Sequence, residues 1–274
     1  MEHSKKITDG ALLLGIYAVL LTLAMFIPMF LVVAIFLLPI PFIVYASKYS
    51  WQPASIMMVA AIILSFMIIP VVSISLTLLA GFGGIMIGNA ISRRATPYET
   101  WAQGSFGFVV GIIAIFLFTQ FILGINLITE LDAIFKDSIQ MSTQIANQFG
   151  FGTLTEEEIL IIENSFMRML DLIPVGVAIS AIMIAFLSQW FGYKVLNRFY
   201  GKQLQFPPIR NFKLPIAIVW IYFIAILLSL FGQDLNDNLN LVVNNVVTLV
   251  GLLMVLQGFS FIFFFAHHKG KSNA

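Results

Sequence analysis

Cysteine is absent from the chain, and charge is scarce, with Asp, Glu, Lys and Arg making up only 10% of the residues. The first absence excludes disulfides and thiolate metal sites. The second excludes an ordinary water-soluble domain, in which about 25% of residues are charged. Charge is missing altogether from residues 10–47, 49–92, 100–129, 172–193, 214–233 and 238–268. Chemical motifs are missing too. There is no HExxH, no GxSxG and no Walker lysine motif, which removes zinc proteolysis, the serine nucleophile elbow and P-loop ATP hydrolysis. Proton- and ion-coupled pumps place ionisable groups at membrane depth, and none falls mid-span here. The expectation is a noncatalytic protein with no catalytic residue, no metal, no cofactor and no nucleic-acid partner.

What is present is apolar, at 60% of residues. About 20 such residues in a helix cross a bilayer's hydrocarbon core, so the first two charge-free gaps hold two spans each and the other four hold one. The fold class is therefore an all-α, polytopic transmembrane helical bundle forming one integral membrane domain, 1–274. Its eight spans lie at about 10–27, 29–46, 53–69, 71–91, 104–128, 173–193, 214–232 and 240–266. Turns are expected at Pro28 and Pro70. The first apolar run continues through Ile27, Pro28 and Met29 without a small-residue cleavage pattern, so it reads as a retained span rather than a signal peptide.

Lys and Arg are retained on the cytoplasmic side of short loops. With both ends of the chain cytoplasmic, eight spans place every basic residue inside except Lys136 and Arg168. Ten of the 13 acidic residues fall outside, the exceptions being Glu2, Asp9 and Glu99. The location implied is a membrane that the chain crosses several times.

The longest extramembrane segment, 129–172, reads as an outer amphipathic hairpin that covers the bundle or lies at the lipid interface. Leu131, Ile134, Phe135, Ile139 and Ile145 give its first helix an apolar stripe, and Gly150 and Gly152 end it. A capping box of Thr155 with Glu158 starts the second, whose stripe is Ile159, Ile162, Phe166 and Met169.

Inside the membrane, Pro39 and Pro41 break the second span by removing amide donors. That break serves either a packed kink or a site where ligand or water meets free carbonyls. Small residues mark close helix contacts: Ala11, Gly15 and Ala18 on the first span, Gly84 with Gly88 on the fourth, and Gly107 with Gly111 on the fifth. The first of these stripes is a candidate partner face. Polar side chains collect toward the outer half, where Gln120, Asn126, Asn240 and Asn244 either line a ligand pocket or join helices by hydrogen bonds. Lys202, Arg210 and Lys213 mark a basic cytoplasmic loop. His267 and His268 lack a third ligand nearby and read as solvated.

The segments ITDGALLLGIYAVL at 7–20, PIPFIVYASKYS at 39–50, PIRNFKLP at 208–215 and LQGFSFIFFF at 256–265 resemble the YybS-like family of bacterial multi-pass membrane proteins. The likeness runs through nearly the whole chain and implies no established activity. The small-residue first span is also similar to that of the membrane-embedded S components of energy-coupling-factor transporters. That likeness implies docking of Ala11, Gly15 and Ala18 against a T component that works with two ATPases, although S components typically have six spans and no vitamin-binding motif occurs here. Two functions follow. One is a solute-capturing subunit, whose small ligand the residues do not name. The other is a noncatalytic scaffold or regulator whose basic loop binds another protein or anionic lipid.

Overall fold

The computed structural model describes residues 2–149, 155–230 and 236–270. Every regular element among them is helical. In order these are α1 (Glu2–Phe26), α2 (Pro28–Leu37), α3 (Pro39–Tyr49), α4 (Trp51–Phe66), α5 (Pro70–Ser92) and α6 (Pro97–Leu117). Then follow α7 (Leu127–Gln148), α8 (Glu156–Asp171), α9 (Ile173–Tyr200), α10 (Ile216–Leu230) and α11 (Asp237–His268). A π-helical turn, Phe118–Ile122, ends α6.

Two breaks fall where proline places them. Ile27 and Ile69 are extended, and Pro28 and Pro70 open the next helix. The residue before a proline is pushed out of the helical region, while proline itself suits the first helical position because that amide has no partner to lose. The expected break in the second span is also present. It is local, because Leu38 between α2 and α3 keeps helical dihedrals and donates to the Ala34 carbonyl, and Pro28–Tyr49 as a whole is long and apolar enough for one crossing.

Among the described residues, six stretches are able by length and composition to cross a membrane: Ser4–Phe26, Pro28–Tyr49, Pro70–Ser92, Pro97–Ile122, Ile173–Tyr200 and Asp237–His268. The other two expected spans correspond to shorter apolar helices, α4 with 16 residues and α10 with 15. At 1.5 Å per residue these are ~24 and ~22 Å long, below the ~30 Å of a hydrocarbon core. Pro70 and its extended neighbour cut α4 short, and the described part of α10 stops at Leu230. Several helices also run past their expected limits. α6 begins at Pro97 rather than near 104, because Thr96 and Glu99 form a capping box there. α9 continues to Tyr200, carrying Lys194 and Arg198 beyond the charge-free stretch.

The core is built around α5, which packs on α3, α4, α6 and α9. Gly84 and Gly88 face the α3 backbone. A side-chain carbon at 84 would lie 2.6 Å from the Pro39 carbonyl oxygen, and one at 88 would lie 2.5 Å from that of Ile43. Only glycine permits this approach, which places the proline-bearing start of α3 directly against α5. Gly107 of α6 makes a similar approach to α5, where a side-chain carbon would lie 2.8 Å from the Phe82 carbonyl oxygen. Lipid gives no hydrophobic drive for helix association, so such backbone contact is the source of packing energy.

Buried hydroxyls tie α1 and α4 to the same helix. The Tyr17 hydroxyl lies 2.6 Å from Thr77 Oγ1, which is also 2.5 Å from Ser65 Oγ. Antiparallel pairing of α1 with α3 shows in Tyr17 against Phe42, Tyr45 donating to the Lys6 carbonyl, and Asp9 accepting from Lys48 and Tyr49.

The α7–α8 hairpin departs from the expected cover. α7 buries none of its residues, and Leu131, Ile134, Ile145 and Met169 of the two stripes are exposed. The helices hold each other instead, through Phe135 stacked on Phe166 at 3.9 Å. Asp132 with Lys136 and the expected Thr155–Glu158 capping box stabilise each helix locally. Gly150 and Gly152 lie outside the described residues.

Gly84→Leu should destabilise the protein by about 1–3 kcal/mol or more through overpacking, read as a lower temperature of aggregation in detergent. Gly15→Leu should leave that temperature unchanged, because nothing lies within 4 Å of a side-chain carbon at 15.

Candidate cavity at the basic end of the bundle

The asparagines singled out by sequence do not assemble into one pocket. Asn126 caps α7, its side-chain oxygen accepting from the amides of Ile128 and Thr129. Asn244 is exposed and Asn240 half-buried on α11, and α7 makes no extended contact with that helix. The buried amide is the next residue, Asn245, which donates to the carbonyls of Asp171 and Leu241 at 2.8 Å. It joins α11 to the end of α8, the bonding use of amides between helices. Gln120 sits half-buried on the π-helical turn.

A cavity of about 540 Å³ opens at the opposite end, where the basic residues gather. Tyr98 and Trp101 of α6 form one wall, Ile182 and Phe186 of α9 a second, and Leu256 and Phe259 of α11 a third. The segment joining α9 to α10 closes it with Phe206 and Phe212. Sequence reasoning missed the cavity because its aromatics come from four distant segments and look individually like lipid-facing residues.

Each wall is fixed by bonds to backbone. The Trp101 indole donates to the Ile182 carbonyl at 2.8 Å, holding α6 to α9. Tyr98 donates to the Pro208 carbonyl at 3.2 Å, and its ring meets Phe212 edge-on at 5.3 Å. Gly201 ends α9 in the left-handed conformation that glycine adopts without strain. The Asn197 amide then bonds both the carbonyl and the amide of Leu204 at 2.8 Å. Further on, the Leu214 amide donates to Gln257 Oε1, and Ser260 donates to the Phe212 carbonyl, each at 2.8 Å. Though it contains little regular structure, the 201–215 segment is thereby anchored at both ends.

Its three basic residues differ in setting. Lys202 is half-buried, with Nζ 3.5 Å from the Ser47 carbonyl near the end of α3, and desolvation lowers its pKa from the usual value. Arg210 lies in a short 3₁₀ turn, Ile209–Asn211, immediately before the cavity-lining Phe212. Lys213 follows that residue and is exposed.

The small stripe on α1 faces outward. Ala11 and Gly15 are exposed and Ala18 is half-buried, and Gly15 lies in a shallow groove with Leu12, Ile16, Val19 and Leu20. Pro39 and Pro41 are buried under α5.

Replacing Gln257 with Leu should leave the Leu214 amide unpaired at a cost of about 1–3 kcal/mol. The expected readout is faster hydrogen exchange over residues 204–215, with exchange in α5 unchanged.

A Bacillus subtilis (strain 168) protein, "Uncharacterized protein YybS", is 25% identical over 274 residues, covering 98% of this chain and 87% of its own length. No solved structure matches. The family model described as "Predicted membrane protein (DUF2232)" matches residues 15–274. With these matches and its long apolar helices, the chain belongs to the DUF2232 family and is a multi-pass integral membrane protein.

Proposed function

We propose that this protein is a noncatalytic membrane subunit that captures an amphipathic ligand and works with other proteins for energy or signalling. The observation that carries this reading is the aromatic-walled cavity. Its volume falls within the roughly 300–1,000 Å³ of small-molecule sites, which are typically apolar and enclosed between helices. Its walls are also bonded together before any ligand arrives, so binding orders little more of the chain. The cavity replaces the outer asparagines as the capture site, because Asn126 is occupied as a helix cap.

In the bilayer we assign eight crossings: α1, α2 with α3, α4, α5, α6, α9, α10 and α11. The basic residues support this, since the arrangement leaves only Lys136 and Arg168 outside. Local thinning and flanking residues accommodate the short α4. The cavity and the 201–215 segment then lie on the cytoplasmic side. The open groove at Gly15, with Ala11 and Ala18, is the face for a partner helix, as in S components that dock a T component and its ATPases.

A second role, as a scaffold, is favoured by the α7–α8 hairpin, whose exposed apolar residues offer a surface to other envelope proteins. The two roles separate on purification in mild detergent followed by mass spectrometry of what accompanies the chain. Capture predicts an amphipathic molecule in stoichiometric amount, lost from the cavity-filling variant Ile182→Phe with Leu256→Phe. Equal recovery from wild type and variant, or recovery of protein partners with no small molecule, would overturn capture.

A further inference from the structure

The apolar cavity and the basic segment that closes it form one amphipathic unit. From Leu172 to Gln233 the chain has no acidic residue, while Lys194, Arg198, Lys202, Arg210 and Lys213 are all basic. Arg210 and Lys213 are the chain neighbours of Ile209 and Phe212, which line the cavity, so the segment that closes an apolar interior is itself basic. Basic pockets between membrane helices on the cytoplasmic side suit anionic lipid headgroups. A soluble anion would not need the aromatic interior, and an uncharged hydrocarbon would not need the basic rim.

We infer that the cavity holds the acyl chain of an anionic phospholipid from the cytoplasmic leaflet, with its phosphate at Arg210 and Lys213. Trp101, Phe186 and Phe212 meet the chain, while Lys213, exposed next to Phe212 in the sequence, meets the headgroup in the interface. The inference rests on the proposed ligand-capturing role and names the class of ligand.

Trp101 provides the probe, since it lines the cavity and the chain has only four tryptophans. With Trp51, Trp190 and Trp220 changed to Phe, the remaining fluorescence reports Trp101. The protein is reconstituted in vesicles whose phosphatidylcholine or phosphatidylglycerol carries brominated acyl chains, which quench on contact. We expect roughly tenfold preferential quenching by the anionic lipid, falling to about twofold in high salt and in Lys213→Gln with Arg210→Gln. The cavity-filling pair Ile182→Phe with Leu256→Phe should abolish the preference, which separates cavity lipid from lipid at the protein's outer surface. The salt series on the parent protein stands independently of whether the charge variant folds.

Equal quenching by the two lipids would overturn headgroup selection and leave ligand capture standing. If neither lipid quenches but a brominated long-chain alcohol does, the lipid assignment fails and capture of another amphipath survives. Absence of quenching by all three would overturn both.

Discussion

Close approach of the α5 backbone to α3 is the constraint on which the rest of the structure depends. Gly84 and Gly88 bring the two helices so near that a side-chain carbon would meet the carbonyl oxygens of Pro39 and Ile43. In water such a seam would be one contribution among many, but in lipid the apolar side chains gain little by leaving one apolar medium for another. Contact geometry therefore has to supply the specificity. The first turns of α3, from Pro39 to Ile43, are the surface that the glycines of α5 approach.

Other helices add to that pair by different means. α1 and α4 reach α5 through the shared Tyr17, Ser65 and Thr77 hydroxyls. α6 reaches it through Gly107, and α9 then joins α6 through Trp101. Toward the basic end, where α11 meets α9 and the 201–215 segment, the helices are joined by side chains bonded to backbone rather than by close backbones, and a cavity lined with aromatic rings stays open between them. The same chain thus has a tightly packed half and an open half. The proposed ligand capture belongs to the open half, because the close-packed half has no room to admit an apolar chain.

Sequence made the punctuation of the helices legible. Pro28, Pro70 and the Thr155–Glu158 box all act where the pattern puts them, because each works through its own local backbone. It could not separate Gly15 from Gly84. Both belong to small-residue stripes, yet one faces outward and the other touches a neighbouring carbonyl. Nor could it separate Asn244 from Asn245, where one step in helical phase decides between an exposed amide and a buried bridge. The cavity escaped for a similar reason. Phe206, Phe212 and Trp101 acquire a common purpose only when α6, α9 and the 201–215 segment meet, whereas the positive charge of that segment was plain from composition.

Placing the cavity in the cytoplasmic leaflet depends on which side of the membrane its closing segment occupies. The lack of cysteine makes single introduced thiols a clean report of sidedness. Lys213→Cys, Asn238→Cys and Ser138→Cys lie at exposed positions on the cavity segment, the start of α11 and the α7–α8 hairpin. A membrane-impermeant maleimide applied to intact cells should label residues 138 and 238 at once and residue 213 only after permeabilisation. Labelling of 213 in intact cells, or protection of 213 and 238 together, would contradict the account by moving the cavity to the other leaflet or removing α10 as a crossing.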